Sequence, residues 1–302
     1  MPSLTTPALP LLYNPVAGRG SAGRRVEALL PECRRLDLDV RPEASGRPGD
    51  LERRARELSD AGTHALLVAG GDGSLHEVVN GVLASATPAA VGLLPLGTGN
   101  DFAKANAIPL HAVTALELLA GRLVGGAAPR LVDAGRLNGR WFANGAGIGF
   151  DARVSAIAAA MRRPAGRFVY LLAVLRALAE GVATPRMIID YDDGRHEGPL
   201  TLASFNNGPW VGGLFPIAPM AKTDDGRLEM VWADALGRLG VLRLLPRLLE
   251  GRHVGLPPVH HRAVTRVSVS AEAPVPAHLD GENLAPGREF RIELVPAVLP
   301  LL

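Results

Sequence analysis

Three times within the first 107 residues an apolar run breaks at a turn and is followed by a helical pattern. Ala8–Tyr13 ends at Asn14-Pro15, continues through Val16-Ala17-Gly18, and leads to a helical segment over Arg24–Arg35. A further helix, predicted over Asp50–Ala61, precedes the run Ala65–Ala69. That run is broken by Gly70-Gly71-Asp72-Gly73 and followed by a helix over Leu75–Ala84. Ala90–Leu96 is broken by Gly97-Thr98-Gly99, and Asp101–Ala107 opens another helix. Strand, glycine-bearing loop and helix in repetition specify a parallel sheet with crossover helices. Such sheets bind ligands at the carboxyl ends of their strands. The three loops are therefore expected to converge on one crevice.

After about Leu131 the texture changes. Arg130–Leu137 and Arg140–Ile148 read as strands around Asn138-Gly139, a hairpin signal. Pro185–Asp192 and Pro199–Asn206 flank Asp192-Asp193-Gly194 as a second hairpin, and Leu228–Ala233, Ala263–Ala271 and Phe290–Val295 add strands. Two helical stretches, Arg167–Glu180 and Leu236–Glu250, interrupt them. The expected fold class is α/β followed by mainly β. An α/β domain covers 1–131 and a β-rich substrate domain covers 132–288.

The chain has 302 residues, 47% of them hydrophobic and 21% charged, enough to bury a core in each domain. A net charge of +2 argues against a nucleic-acid partner. The cations are almost all Arg, the only lysines being Lys104 and Lys222; biased composition explains this, and so does phosphate recognition. The one cysteine, Cys33, permits no internal disulfide and has no His motif beside it. Met1 to Leu12 shows no secretory signal pattern and no run reaches membrane-spanning length, so a cytoplasmic protein is expected.

Chemistry concentrates in the loops. Glycines after a buried strand admit a ligand close to the backbone, and the following helix aims free N–H groups at it, an arrangement suited to phosphate. Ser74 and Glu77 also match a capping box, which alone would need no ligand. Asp72 beside phosphate makes sense if Mg²⁺ lies between them or if it handles a proton. In the second loop Thr98 and Asn100 offer side-chain hydrogen bonds, and Asp101 either joins them or caps its helix. His76 reads as a surface helix position or a nucleotide contact. Neither the Walker A loop nor the dinucleotide fingerprint is present.

Asp224-Asp225-Gly226 reads as a surface turn or as a hard-cation site of carboxylate and carbonyl oxygens. In Asp280-Gly281-Glu282, an extended backbone would place both carboxylates on one face, where one could serve as a general base. The alternative is a solvated turn. His260 and His261, being adjacent, point to opposite faces of a strand.

Taken together, Asn14-Pro15 with Gly18, Gly70–Ser74 with Glu77 and Asn80-Gly81, and Pro95–Ala103 resemble the successive motifs of the diacylglycerol kinase catalytic domain. Asn144–Asp151, Pro219-Met220-Ala221 with Asp224-Asp225-Gly226, and Leu279–Glu282 extend the resemblance in order through the second half. Bacterial lipid kinases and the sphingosine and ceramide kinases share these motifs. The resemblance implies a three-layer Rossmann-like domain of the NAD kinase and diacylglycerol kinase type, then a β-sandwich-like domain. It also implies an active site in the cleft between them and a C-terminal strand, about 289–302, returning to the first. It implies ATP contacts at Asn14, Pro15, Gly18, Ser45, Gly70, Gly71, Asp72, Gly73, Ser74, His76, Glu77, Gly97, Thr98, Asn100 and Asp101. Mg²⁺ would sit on Asp225 with the carbonyls of Lys222 and Arg227. Glu282 or Asp280 would accept the substrate proton, the sphingosine kinase branch assigning that role to the aspartate matching Asp72. His76 departs from the usual bacterial Asn and resembles the sphingosine and ceramide branch.

The function this implies is transfer of the γ-phosphoryl group of ATP to a lipid hydroxyl. The lipid demands contact with a membrane surface, for which Leu236–Glu250, with Arg238, Arg243 and Arg247 among leucines, is the candidate. Rival readings are an NAD kinase-like enzyme and a non-catalytic ATP-binding regulator. The acceptor lipid and the oligomeric state, a homodimer included, are not written in the motifs.

Overall fold

The computed structural model describes residues 8–161 and 168–302, Arg19 by its backbone alone. The chain divides into two units, one running through Val132 and regaining Leu299–Leu302, the other Asp133–Val298.

The first unit contains, in order, β1 (Leu9–Tyr13), α1 (Ala17–Gly20), α2 (Ala22–Arg35), β2 (Val40–Ala44), α3 (Asp50–Asp60), β3 (Ala65–Gly70), α4 (Asp72–Leu83), β4 (Ala90–Pro95), α5 (Asp101–Ala105) and α6 (Ala112–Val124). Its strands are parallel in the order β2, β1, β3, β4, and Leu301 pairs in parallel with Val91 of β4. Every residue of β4 is buried, as a parallel strand covered on both faces requires. Leu11, Leu67 and Leu94 join Val26 and Leu29 of α2 and Leu116 and Leu119 of α6 in one core. Alternation along the strands turns Leu12, Leu66 and Val68 to the opposite face. There α3 and α4 pack so closely that a Cβ on Gly81 would collide with the Glu52 carbonyl. This is the three-layer Rossmann-like arrangement.

The second unit adds β5 (Arg130–Leu137), β6 (Arg140–Phe142), β7 (Gly145–Gly149), α7 (Phe150–Ala160), α8 (Val169–Glu180), β8 (Arg186–Tyr191), β9 (Gly194–Asn206), β10 (Leu228–Asp234), α9 (Arg238–Leu249), β11 (Val259–Val264), β12 (Arg266–Leu279) and β13 (Glu282–Leu301). Strands β11, β10, β9, β7, β12 and β13 are neighbours in that order, and β8 pairs with both β9 and β12. Phe142, Phe205, Met230, Trp232, Val269 and Phe290 are among the residues of the β-sandwich-like core. A smaller core joins α7, α8 and α9 around Phe215.

Several elements depart from expectation. Strand β2 escapes a hydrophobic reading because it is a polar edge carrying Arg41, Pro42 and Glu43. Helices α6 and α7 are additional. The stretch Ala263–Ala271 is two strands, broken at Thr265, whose N–H and hydroxyl both donate to the Asp192 carboxylate. Arg140–Ile148 likewise divides into β6 and β7. Arg167, the expected start of α8, lies outside the described residues. No helix among the described residues is long and apolar enough to cross a membrane.

Candidate active site

In a parallel sheet the carboxyl ends of β1, β2, β3 and β4 lie at one edge, and their loops touch there. Gly71 and Gly97 face each other so closely that a Cβ on Gly71 would stand 2.9 Å from the Gly97 Cα. A Cβ on Gly97 would press into Gly71 harder still. Gly18 has φ +55°, and a Cβ there would lie 3.1 Å from the Leu96 carbonyl oxygen. Arg25 of α2 donates to that same oxygen at 2.7 Å, and Leu96 N–H donates to the Gly70 carbonyl at 2.8 Å. Asn14 Oδ1 accepts from Val16 N–H, the Pro15 carbonyl accepts from Gly23 N–H, and Ser45 N–H donates to the Tyr13 carbonyl. The expected convergence of the three glycine-bearing loops is thus present within the first unit.

Within these loops, Asn100 clamps Gly97 twice, Oδ1 accepting its N–H and Nδ2 donating to its carbonyl. Thr98 is left exposed at the tip. Asp72 Oδ1 accepts from Phe102 N–H at 3.2 Å, coupling the β3 turn to α5. Ser74 folds over Gly70, leaving no room for a side chain there. Helix α4 starts at Asp72, with Gly73 in its first turn and no side-chain cap at its N-terminus.

Three sequence readings are corrected here. The capping box does not form: Ser74 lies inside α4, and Glu77 instead accepts from Leu51 N–H of α3 at 3.1 Å. Asp101 does not cap α5; it is the first helical residue and pairs with Lys104 at 2.6 Å. His76 is not a surface residue but only 6% exposed, with the Asn80 amide against its ring and its carbonyl.

In the second unit Asp280 and Gly281 have φ +51° and +91° and form a two-residue turn joining β12 to β13. Strand alternation does not operate across such a turn, so the one-face reading of Asp280 and Glu282 is wrong. Asp280 points its carboxylate at three backbone donors, accepting from Ala143, Asn144 and Gly145 N–H at 3.0, 2.8 and 3.0 Å. Those bonds take three of the carboxylate's roughly four lone-pair sites. Glu282 is exposed, and among the described residues its carboxylate accepts no hydrogen bond.

Asp225 is exposed and its Oδ1 accepts from Arg227 N–H at 3.1 Å, a local turn. Lys222 and Arg227 flank that turn, and Gly226 supplies its positive φ. Among the described residues no group of three or more His, Cys, Asp or Glu is arranged for a metal, so a cation here would rest on one carboxylate and carbonyl oxygens.

Sequence reading passes over Asp133, although it organises this region. It is 2% exposed; Oδ2 accepts from Gly226 N–H and Oδ1 from Ala297 N–H, each at 2.7 Å. Asn207 Nδ2 donates to the carbonyls of Asp133 and Ala143. The available signal was a lone acid in the apolar stretch Leu131-Val132-Asp133-Ala134. Cys33 is buried and burial pushes its thiol pKa up, which agrees with an inert role. His260 and His261 do diverge, pairing with Asp234 and Glu229 respectively.

Residues 8–127 match the diacylglycerol kinase catalytic domain, and residues 145–302 match the YegS C-terminal NAD kinase beta sandwich-like domain. The chain belongs to the diacylglycerol kinase catalytic-domain family. It is 33% identical to a diacylglycerol kinase of Mycobacterium tuberculosis, over 96% of this chain and 93% of the relative. It is 35% identical to a protein of Chromohalobacter salexigens called "Probable lipid kinase YegS-like", over 84% of this chain and 80% of that one. In fold it is similar to the crystal structure of a diacylglycerol kinase from Bacillus anthracis strain Sterne. That match has a TM-score of 0.73 at 21% identity and covers 97% and 96% of the two chains. Membership of this lipid kinase family accounts for both units and for the order of the motifs.

Proposed function

We propose that this chain transfers the γ-phosphoryl group of ATP to a hydroxyl of a diacylglycerol-like or sphingoid lipid. The observation that carries the reading is the Gly71–Gly97 contact beside an uncapped α4 N-terminus. It brings free N–H groups and side-chain-free backbone together, the conditions under which polypeptide binds a polyphosphate. Asn14 to Gly18, Ser45, Gly70 to Glu77 and Gly97 to Asp101 are the nucleotide residues on this reading.

Glu282 is the proton acceptor on this reading, its exposed carboxylate accepting no hydrogen bond among the described residues, whereas Asp280 accepts three backbone N–H groups and Asp72 accepts one from Phe102. The Glu282 carboxylate takes the proton of the lipid hydroxyl while the hydroxyl oxygen bonds to the γ-phosphorus. The bond from that phosphorus to the β–γ bridging oxygen breaks, and ADP leaves with the electron pair. Asp225 with the Lys222 and Arg227 carbonyls offers the hard oxygen donors that suit Mg²⁺, which would neutralise phosphate charge or stiffen the turn.

The lipid brings a peripheral membrane setting on the cytoplasmic side. Helix α9 exposes Leu239 (66%) and Leu242 between Arg238, Arg243 and Arg247, a face suited to anionic lipid. Flotation with anionic vesicles at low salt should carry the protein upward, and neutral vesicles should not.

The decisive comparison offers radiolabelled ATP with diacylglycerol, a sphingoid base or NAD as acceptor. Label in the organic phase supports the reading; label on NAD alone overturns it.

A further inference from the structure

A buried pair in the second unit lies directly beneath the turn that carries Glu282. His278, the penultimate residue of β12, is 2% exposed. Its Nδ1 accepts the N–H of Gly281 at 3.2 Å. A backbone N–H can only donate, so Nδ1 must be unprotonated and the neutral ring carries its proton on Nε2. Nε2 lies 3.7 Å from Asp151 Oδ2, in the first turn of α7. At that distance the two form a buried electrostatic contact rather than a hydrogen bond, and neither atom has a hydrogen-bond partner among the described residues. Asp151 Oδ1 is held by Ala152 N–H at 2.8 Å.

The space the pair occupies is kept by Gly147 of β7, where any Cβ would strike both Asp151 Oδ2 and His278 Nε2. Strand β7 brings no titratable side chain to the ring. The residue of β13 paired with His278 is Asn283, and α7 contributes Asp151 and Ser155. Asp151 is thus a negative charge set against the imidazole, with Asp280 two residues further along the chain and the Tyr170 hydroxyl of α8 beside Gly281. Gly281 is gripped from the other side as well, its carbonyl accepting from Ser155 Oγ at 2.8 Å.

We propose that His278, oriented by Asp151, is a positioning residue that fixes the Asp280–Gly281 turn and thereby the direction of Glu282. The inference rests on the reading of Glu282 as proton acceptor. Protonation of the ring makes Nδ1 a donor facing another donor, so the Gly281 bond is lost and the turn is released. Activity then falls on acidification for a reason separate from protonation of Glu282 itself.

The test is the pH profile of kcat at saturating ATP and lipid, read beside imidazole ¹⁵N shifts. His278→Asn keeps an acceptor near the Nδ1 position but does not titrate. It should hold kcat within about threefold of wild type at high pH and lose one acid limb. His278→Ala should lower kcat by roughly tenfold, with the KM for ATP unchanged. Asp151→Asn should lower kcat in the same direction as His278→Ala, with the KM for ATP unchanged, because the ring loses the carboxylate set against its Nε2. The shifts should report an Nε2–H tautomer in the wild type.

If His278→Asn reproduces the wild-type profile, or if the ring carries its proton on Nδ1, the proposal is overturned. Should His278→Ala fail to fold, the Asn variant and the tautomer still decide. Glu282→Gln separates the two readings. Full turnover in that variant removes Glu282 as the base, whatever His278 does. An inactive Glu282→Gln with an unaltered His278→Asn profile leaves the base in place and removes only its positioning by His278.

Discussion

In the first unit the turn after β3 meets the turn after β4 through two glycines, whereas in the second unit the turns at Asp280 and Gly226 are shaped by buried or inward-pointing carboxylates. The first region gets its curve mainly from missing side chains and backbone hydrogen bonds, with Asn100 clamping Gly97 and Asp72 accepting from Phe102 N–H. The second gets it from Asp280 and Asp133, each accepting at least two backbone N–H groups. The glycine region should therefore break first when atoms are added. The carboxylate region should break when a charge or an acceptor is removed, and it should tolerate additions at its exposed positions.

The largest effect is expected at the exposed member of the second region. Glu282→Gln should cut turnover by about 10²–10⁴-fold, the usual worth of a general base, while ATP binding by calorimetry and the urea midpoint stay near wild type. A variant active within a few fold would remove Glu282 from the chemistry. Next comes Gly97→Ala, whose new Cβ meets the Gly71 backbone. Overpacking costs about 1–3 kcal/mol, so ATP affinity should fall roughly ten- to a hundredfold while unfolding of the second unit is unchanged. An unchanged Kd would mean that the two loops have room to part.

Asp133→Asn tests the other side of the contrast. Its amide sets a donor against Gly226 or Ala297 N–H, and a buried unsatisfied group costs about 1–3 kcal/mol. Urea unfolding should show that loss, with Gly97→Ala as the comparison that loses affinity first. The smallest effect concerns pH. His253 is buried with Nε2 on the Ile217 carbonyl, and burial holds its pKa below the ordinary histidine value. The unfolded chain, titrating near about 6.5, takes up a proton that the folded chain refuses. Stability should then fall as pH drops through and below that value, and His253→Leu should flatten the slope in urea titrations.

What the sequence made legible follows the same division. The loops at Gly18, Gly70–Gly73 and Gly97–Gly99 announce themselves, because a run of apolar residues ending in glycine marks a buried strand whose exit turn must stay free of side chains. Asp133 and His278 do not: a single polar residue in a strand looks the same whether it faces solvent or grips a buried backbone. The Asp280–Glu282 reading failed because alternation was applied across an Asp-Gly turn, where positive φ ends the strand. Ser74 with Glu77 fitted a capping box, but α4 starts one turn earlier than its apolar periodicity suggests, since glycines and Asp72 carry no hydrophobic signal. Strand β2 was invisible for the converse reason, being a polar edge.

The central claim meets its most direct test when wild type and Glu282→Gln are each incubated with radiolabelled ATP and a total lipid extract. The wild type should label one lipid class and the variant none. Label confined to water-soluble products, or equal lipid labelling by both proteins, would contradict that claim.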